Sequence, residues 1–195
     1  MKKSLADQIL VTALALAEDS SWEEMHLYDI AGQLEISLDE IRKVYPQKDA
    51  LAEAWFDCAD RAVLNIEPSA DFLKLSQTER VQQVIMTWLE ALAMHRDITR
   101  EMLSYKFECG HIHLQTLGIM RISRTVQWFR EAARTDTTGL RRIIEEIAMT
   151  SIYLATFASW LRDDSSNSKK TRDFLSKALS GVEHCPSTRL FSQSE

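Results

Sequence analysis

Five glycines and three prolines leave this chain few places to turn sharply. β-rich domains need frequent turn residues, so the scarcity argues against a sandwich or barrel and for long helices joined by short loops. Cysteine is sparse too. Cys58, Cys109 and Cys185 are an odd number without paired spacing, which suits reduced thiols in a cytosol and no disulfide framework. Long hydrophobic runs are missing: the longest, residues 147–161, falls short of the roughly 20 apolar residues of a membrane span and reads as a buried helix. Asp7 precedes any apolar stretch, so the opening residues do not look like a signal peptide. Positive charge is also lacking, and a net charge of −6 excludes a protein that coats nucleic acid indiscriminately.

What is present is apolar content, 45% of the chain, arranged at helical spacing. Residues 4–18 place Leu5, Ile9, Ala13, Leu16 and Ala17 on one side, with Ser4 and Asp7 able to cap the start. Short helices over 27–34 and 38–45 follow, the second ending before Pro46 because the residue ahead of a proline disfavours helical geometry. Residues 48–65 form a longer helix with Leu51, Ala52, Trp55, Phe56, Ala59 and Val63 inward. The composition then changes at Ile66-Glu67-Pro68-Ser69-Ala70, read as a connection between domains. Ser76 and Glu79 make a capping box that opens a helix to about residue 95. Further helices are expected near 98–107, 112–134, 139–162 and 168–182. The expected organisation is an N-terminal helical domain (1–65), a larger helical domain (66–185) and a loose tail (186–195).

Candidate chemistry is thin. Cys109, His111 and His113 are good ligand types for a metal, but alternate positions close poorly into a tetrahedron on a helix, so the better reading is a helix start with incidental histidines. There is no glycine-rich phosphate loop and no nucleophile elbow, and the expectation is a non-enzyme without cofactor or metal. Arg121 and Arg124 share a helix face, read as solvated or interfacial, with a carboxylate or phosphate group as the sharper alternative.

Asp29-Ile30-Ala31, then Ile36-Ser37, then Tyr45-Pro46-Gln47-Lys48-Asp49-Ala50-Leu51 resembles the TetR-family pattern, across about residues 5–60. The resemblance implies an all-α fold: a three-helix, helix-turn-helix DNA-binding domain, then a helical ligand-binding and dimerisation domain. Ser37 would cap the third helix, which lies in the major groove of an operator expected to be palindromic. Arg42, Lys43 and Tyr45 sit where the family reads or grips the duplex, and Lys48 where it touches phosphate. This sequence departs from the pattern at Glu35, in the turn where the family has glycine, at a cost of about 1 kcal/mol if the turn needs positive φ. It departs again at Leu38, Asp39 and Glu40. Carboxylates there repel phosphate, although they can accept from cytosine N4. Residues 1–50 carry five cations against ten carboxylates.

In the larger domain, Trp88, Met102, Met120 and Tyr153 are the candidate walls of an apolar pocket for a small apolar effector or lipid. By resemblance, helices near 112–134 and 139–162 pair with their counterparts in a homodimer. Residues from about 95 to 179, notably Leu140-Arg141-Arg142, Ile152-Tyr153, Leu161 to Ser165 and Thr171 to Leu175, are similar to ubiquinone-biosynthesis accessory proteins that share the TetR fold and bind lipids. That implies an alternative: a lipid-binding accessory protein that has lost DNA binding, with helix 168–182 touching a membrane. The leading reading is a cytoplasmic, ligand-responsive regulator.

Overall fold

The computed structural model describes residues 4–106 and 112–183, side chains of 105–119 and 183 excepted. Among them every regular element is a helix. The possible metal group at Cys109, His111 and His113, and the tail, lie outside these residues or side chains.

Among the described residues ten α-helices follow in order: α1 (Leu5–Asp19), α2 (Leu27–Leu34), α3 (Leu38–Val44), α4 (Lys48–Leu64), α5 (Ala70–Lys74), α6 (Gln77–Ala91), α7 (Arg96–Lys106), α8 (Ile112–Ala132), α9 (Gly139–Trp160) and α10 (Lys169–Glu183). Capping sets several starts. Ser4 accepts from Asp7 N while the Asp7 carboxylate accepts from Ser4 N, and Ser76 with Glu79 repeats the exchange. Helix α5 was not expected from periodicity. Five residues are too few to show a period, and its only signal is Ser69 accepting from Phe72 N.

The chain forms two compact units, Met1–Cys58 with Leu92–Gln115, and Ala59–Ala91 with Thr116–Glu195. They do not divide at residue 65 alone, because residues 92–106 join the N-terminal helices. Within the first unit Trp55 Nε1 donates to Thr99 Oγ1 at 2.9 Å, Trp22 N donates to the Glu101 carboxylate at 2.6 Å, and His95 Nδ1 lies 2.7 Å from Glu18 Oε1. Ile9, Ala13, Trp22, Ile30, Ile41 and Leu51 fill this unit's core, and each large apolar side chain so buried contributes about 1.5–3 kcal/mol. All six residues expected to face inward from α4 are buried.

In the second unit α10 packs on α9 and α6, and α6 on α9. Leu175 and Leu179 of α10 are fully buried, so its apolar stripe belongs to the core, with Phe174 left exposed. The turn between α9 and α10 is organised by Asp163. Its carboxylate accepts from Ser165 N (2.8 Å), Ser165 Oγ (2.5 Å), Thr171 N (2.8 Å) and Thr171 Oγ1 (2.6 Å). Burial opposes the charge, but these four bonds overcome it and hold the carboxyl well below the usual carboxylate range. The depressed value means the stabilisation is present above the ordinary carboxylate pKa of about 3.9 and is lost as pH falls toward the folded value. Asp163→Ala should therefore lower stability by about 3 kcal/mol at neutral pH. In urea unfolding the gap from wild type should narrow below about pH 4, and a gap independent of pH would show that the charge contributes nothing.

Candidate nucleic-acid interface and ligand region

Helices α2 and α3 both pack on α1. His26 N donates to the Asp29 carboxylate at 2.9 Å to open α2. The connection to α3 turns at Glu35, which holds φ 54°, ψ 39°, and Ile36 N closes onto Ala31 O at 3.1 Å. This is the left-handed cap that glycine adopts without penalty. Glu35→Gly is accordingly expected to raise stability by up to about 1 kcal/mol, a rise of roughly 2–4 °C in the thermal midpoint. A midpoint that stayed put or fell would mean the turn carries no strain.

Ser37 caps α3, accepting from Glu40 N at 3.2 Å while the Glu40 carboxylate accepts from Ser37 N at 2.9 Å. Those bonds from Ser37 hold Glu40 below its ordinary value. Ile41 anchors the helix in the core, leaving Arg42 and Lys43 exposed. Both point at Asp39: Arg42 Nη2 donates to Oδ1 and Lys43 Nζ approaches Oδ2, each at 2.8 Å. Lys43 first, then Arg42, holds the Asp39 carboxyl below its usual range.

The other two expected DNA contacts are engaged inside the unit. Tyr45 is buried, and its hydroxyl donates to Ala6 O at 3.2 Å, tying the end of α3 to the start of α1. Lys48 Nζ donates to the carbonyls of Glu23 (3.0 Å) and Met25 (2.6 Å) and lies 5.3 Å from the Trp22 ring centroid. Burial lowers its pKa, against the pull of the Glu23 and Asp49 carboxylates. Lys48 pins the segment joining α1 to α2.

Of the four expected pocket residues, two meet within the second unit. Trp88 and Tyr153 are buried in the second unit with ring centroids 5.3 Å apart and edge to face, and Phe129 and Phe157 complete the cluster. Met102 is buried in the first unit, whereas Met120 is 66% exposed. A groove of about 440 Å³ between α6 and α10 is lined by residues including Glu79, Gln83, Met86 and Arg172, and contains none of the four. Of the two arginines read as sharing a helix face, Arg124 is exposed and Arg121 is buried against a carboxylate of the chain itself. Its Nη2 donates to Asp60 Oδ2 at 2.8 Å, both side chains being buried. Asp60 Oδ1 accepts from Trp88 Nε1 at 2.8 Å and Thr125 Oγ1 at 3.1 Å. Burial, and then the Asp60 charge, push the neighbouring Tyr153 phenol far up, so it stays protonated. No motif marked Asp60. The only hint was an aspartate among the inward positions of α4.

Two short helices joined through a left-handed residue, the second capped by serine and presenting cations, define a helix-turn-helix protein. The crystal structure of a TetR transcriptional regulator from Nitrosomonas europaea ATCC 19718 is 48% identical, covers 91% of this chain and 97% of its own, and superposes with a TM-score of 0.80. The chain belongs to the TetR family of transcriptional regulators. A TetR regulator from Rhodococcus sp. RHA1, 16% identical over 89% of this chain and 92% of its own, shares the fold with a TM-score of 0.66. The COQ9 family model matches residues 145–185, overlapping the stretch similar to ubiquinone-biosynthesis accessory proteins. No curated protein matches the chain. Among the described residues no helix is long and apolar enough to cross a membrane.

Proposed function

We propose that this protein is a homodimeric, ligand-responsive transcriptional regulator that binds a palindromic operator and is not an enzyme. The observation that carries the reading is the capped α2–α3 turn with Arg42 and Lys43 exposed on α3, in a chain 48% identical to a TetR regulator. Arg42 and Lys43 contact the duplex. Ser37, Tyr45 and Lys48 hold α3 in the frame that presents them.

The dimer is supported by α9, which is apolar on two faces. Met149, Ile152, Tyr153, Phe157 and Trp160 are buried, while Leu140, Ile143, Ile144, Ile147 and Leu154 are exposed in one stripe. Trp128 and Met120 add exposed apolar surface on α8. A two-fold pairing of α8 and α9 covers this stripe and presents two α3 helices to two half-sites. An apolar effector or lipid binding in the second unit shifts the operator affinity by stabilising one arrangement of the dimer over the other.

The test is to incubate the purified protein with fragmented genomic DNA from its source, with and without a lipid extract, and sequence the bound fragments at two salt concentrations. The reading expects an enriched near-palindrome whose affinity falls steeply with salt, and no enrichment in any of these conditions would overturn it. The COQ9 match supports a second reading, a lipid-binding accessory protein on the same fold. Solvent extraction and mass spectrometry of the purified protein test that one: stoichiometric lipid favours it, and a lipid-free protein removes it.

A further inference from the structure

Helix α3 carries two cations and two carboxylates, and the two carboxylates are placed differently. Glu40 is closed into the helix cap, accepting from both Ser37 N (2.9 Å) and Ser37 Oγ (2.8 Å). Asp39 takes no part in the cap. One of its oxygens accepts from Arg42 Nε (3.2 Å) and Nη2 (2.8 Å), and the other lies 2.8 Å from Lys43 Nζ. All three side chains are more than half exposed, so both cations of the recognition helix meet one solvated carboxylate on the face that would enter a groove.

We propose that Asp39 is the specificity-determining residue of the operator-binding helix, screening Arg42 and Lys43 from phosphate and itself accepting from a cytosine N4 amine. The inference rests on the reading of α3 as the helix that enters the major groove. Exposed ion pairs of this kind are weak, so the triad opens when a better partner is offered. Phosphate is a poor offer, because a backbone that approaches Arg42 and Lys43 also approaches the Asp39 charge. Docking in the groove strips water from that carboxylate. Cytosine supplies its N4 amine to replace the water, adenine offers its N6 amine beside an N7 acceptor that repels the carboxylate, and guanine and thymine present acceptors there. Guanine or thymine therefore leaves a desolvated carboxylate without a donor, and discrimination comes from a penalty on non-cognate DNA as well as from attraction to the operator. The net negative balance of residues 1–50 acts in the same direction, keeping affinity for random duplex low.

The test uses the full-length protein as wild type, Asp39→Ala, and the triple variant D39A/R42A/K43A. Each is measured against random-sequence duplex over a range of salt, and each is put through selection from a randomised DNA pool. Asp39→Ala should bind random duplex about 10-fold or more tightly at low salt, with the log–log salt slope steeper by about 1. Its selected sites should lose a cytosine that the wild type enriches, and the triple variant should reverse the tightening. If D39A binds random DNA no more tightly, or still enriches every base of the wild-type operator, Asp39 does not set specificity and the regulator reading survives. If neither wild type nor D39A binds any duplex, both readings fall.

Discussion

Asp60→Ala is expected to lower stability by about 4 kcal/mol and the thermal midpoint by roughly 10 °C. The carboxylate is buried and meets three donors, the Arg121 guanidinium, the Trp88 indole N–H and the Thr125 hydroxyl, at 2.8–3.1 Å. Alanine removes all three acceptor contacts at once and leaves a buried guanidinium facing an apolar methyl. That asymmetry sets the magnitude: breaking one side of a buried pair costs about 3–5 kcal/mol, whereas replacing both sides with apolar groups of similar volume is often neutral. The paired variant Asp60→Leu with Arg121→Met should therefore recover much of the loss, although Trp88 and Thr125 still lose their bonds to Asp60. Urea unfolding of the three proteins checks the argument. A single variant costing less than about 1 kcal/mol, or a double variant worse than the single, would refute the idea that losing the Asp60 charge beside Arg121 is the cause. Total stabilities of about 5–15 kcal/mol make such a loss a large share.

Ile147→Glu should convert the proposed dimer to monomer and weaken binding to a palindrome by at least about 100-fold. Ile147 is 62% exposed and lies in the middle of the apolar stripe of α9, so a two-fold contact there would bring two copies of the new carboxylate close together. Because the Ile147 side chain is exposed, the far-UV circular dichroism spectrum should be unchanged. Light scattering should report half the mass. Affinity falls because two half-site contacts that acted as one event become independent. A variant that kept the dimer mass would move the interface away from this stripe.

The helices were legible because their signals are local. A serine and a carboxylate three residues apart announce α1, α3 and α6, and the inward stripe of α4 repeats at helical spacing. The strain at Glu35 was legible for the same reason, as a residue out of place in a known turn. Long-range pairings were not. Asp60 and Arg121 stand 61 residues apart, and nothing local distinguishes Arg121 from an ordinary surface arginine. Tyr45 and Lys48 were assigned to DNA by position, but their hydrogen bonds run to backbone carbonyls 23 to 39 residues distant, acceptors that every residue type offers alike. Of the residues expected to line a pocket, Trp88 and Tyr153 meet, while Met102 belongs to the other unit, a division of the chain that linker composition does not reveal.

Helix α9 has apolar residues on both its buried and its exposed sides, and this governs which substitutions it tolerates. A charge placed at Met149 or Phe157 acts within one chain, so its damage is independent of protein concentration. On the proposed dimer, a charge placed at Ile143 or Ile147 acts between chains, and mass action compensates as concentration rises. The two kinds of lesion would look alike in a cell that makes little of the protein and would part company on overexpression, where only the second kind is rescued.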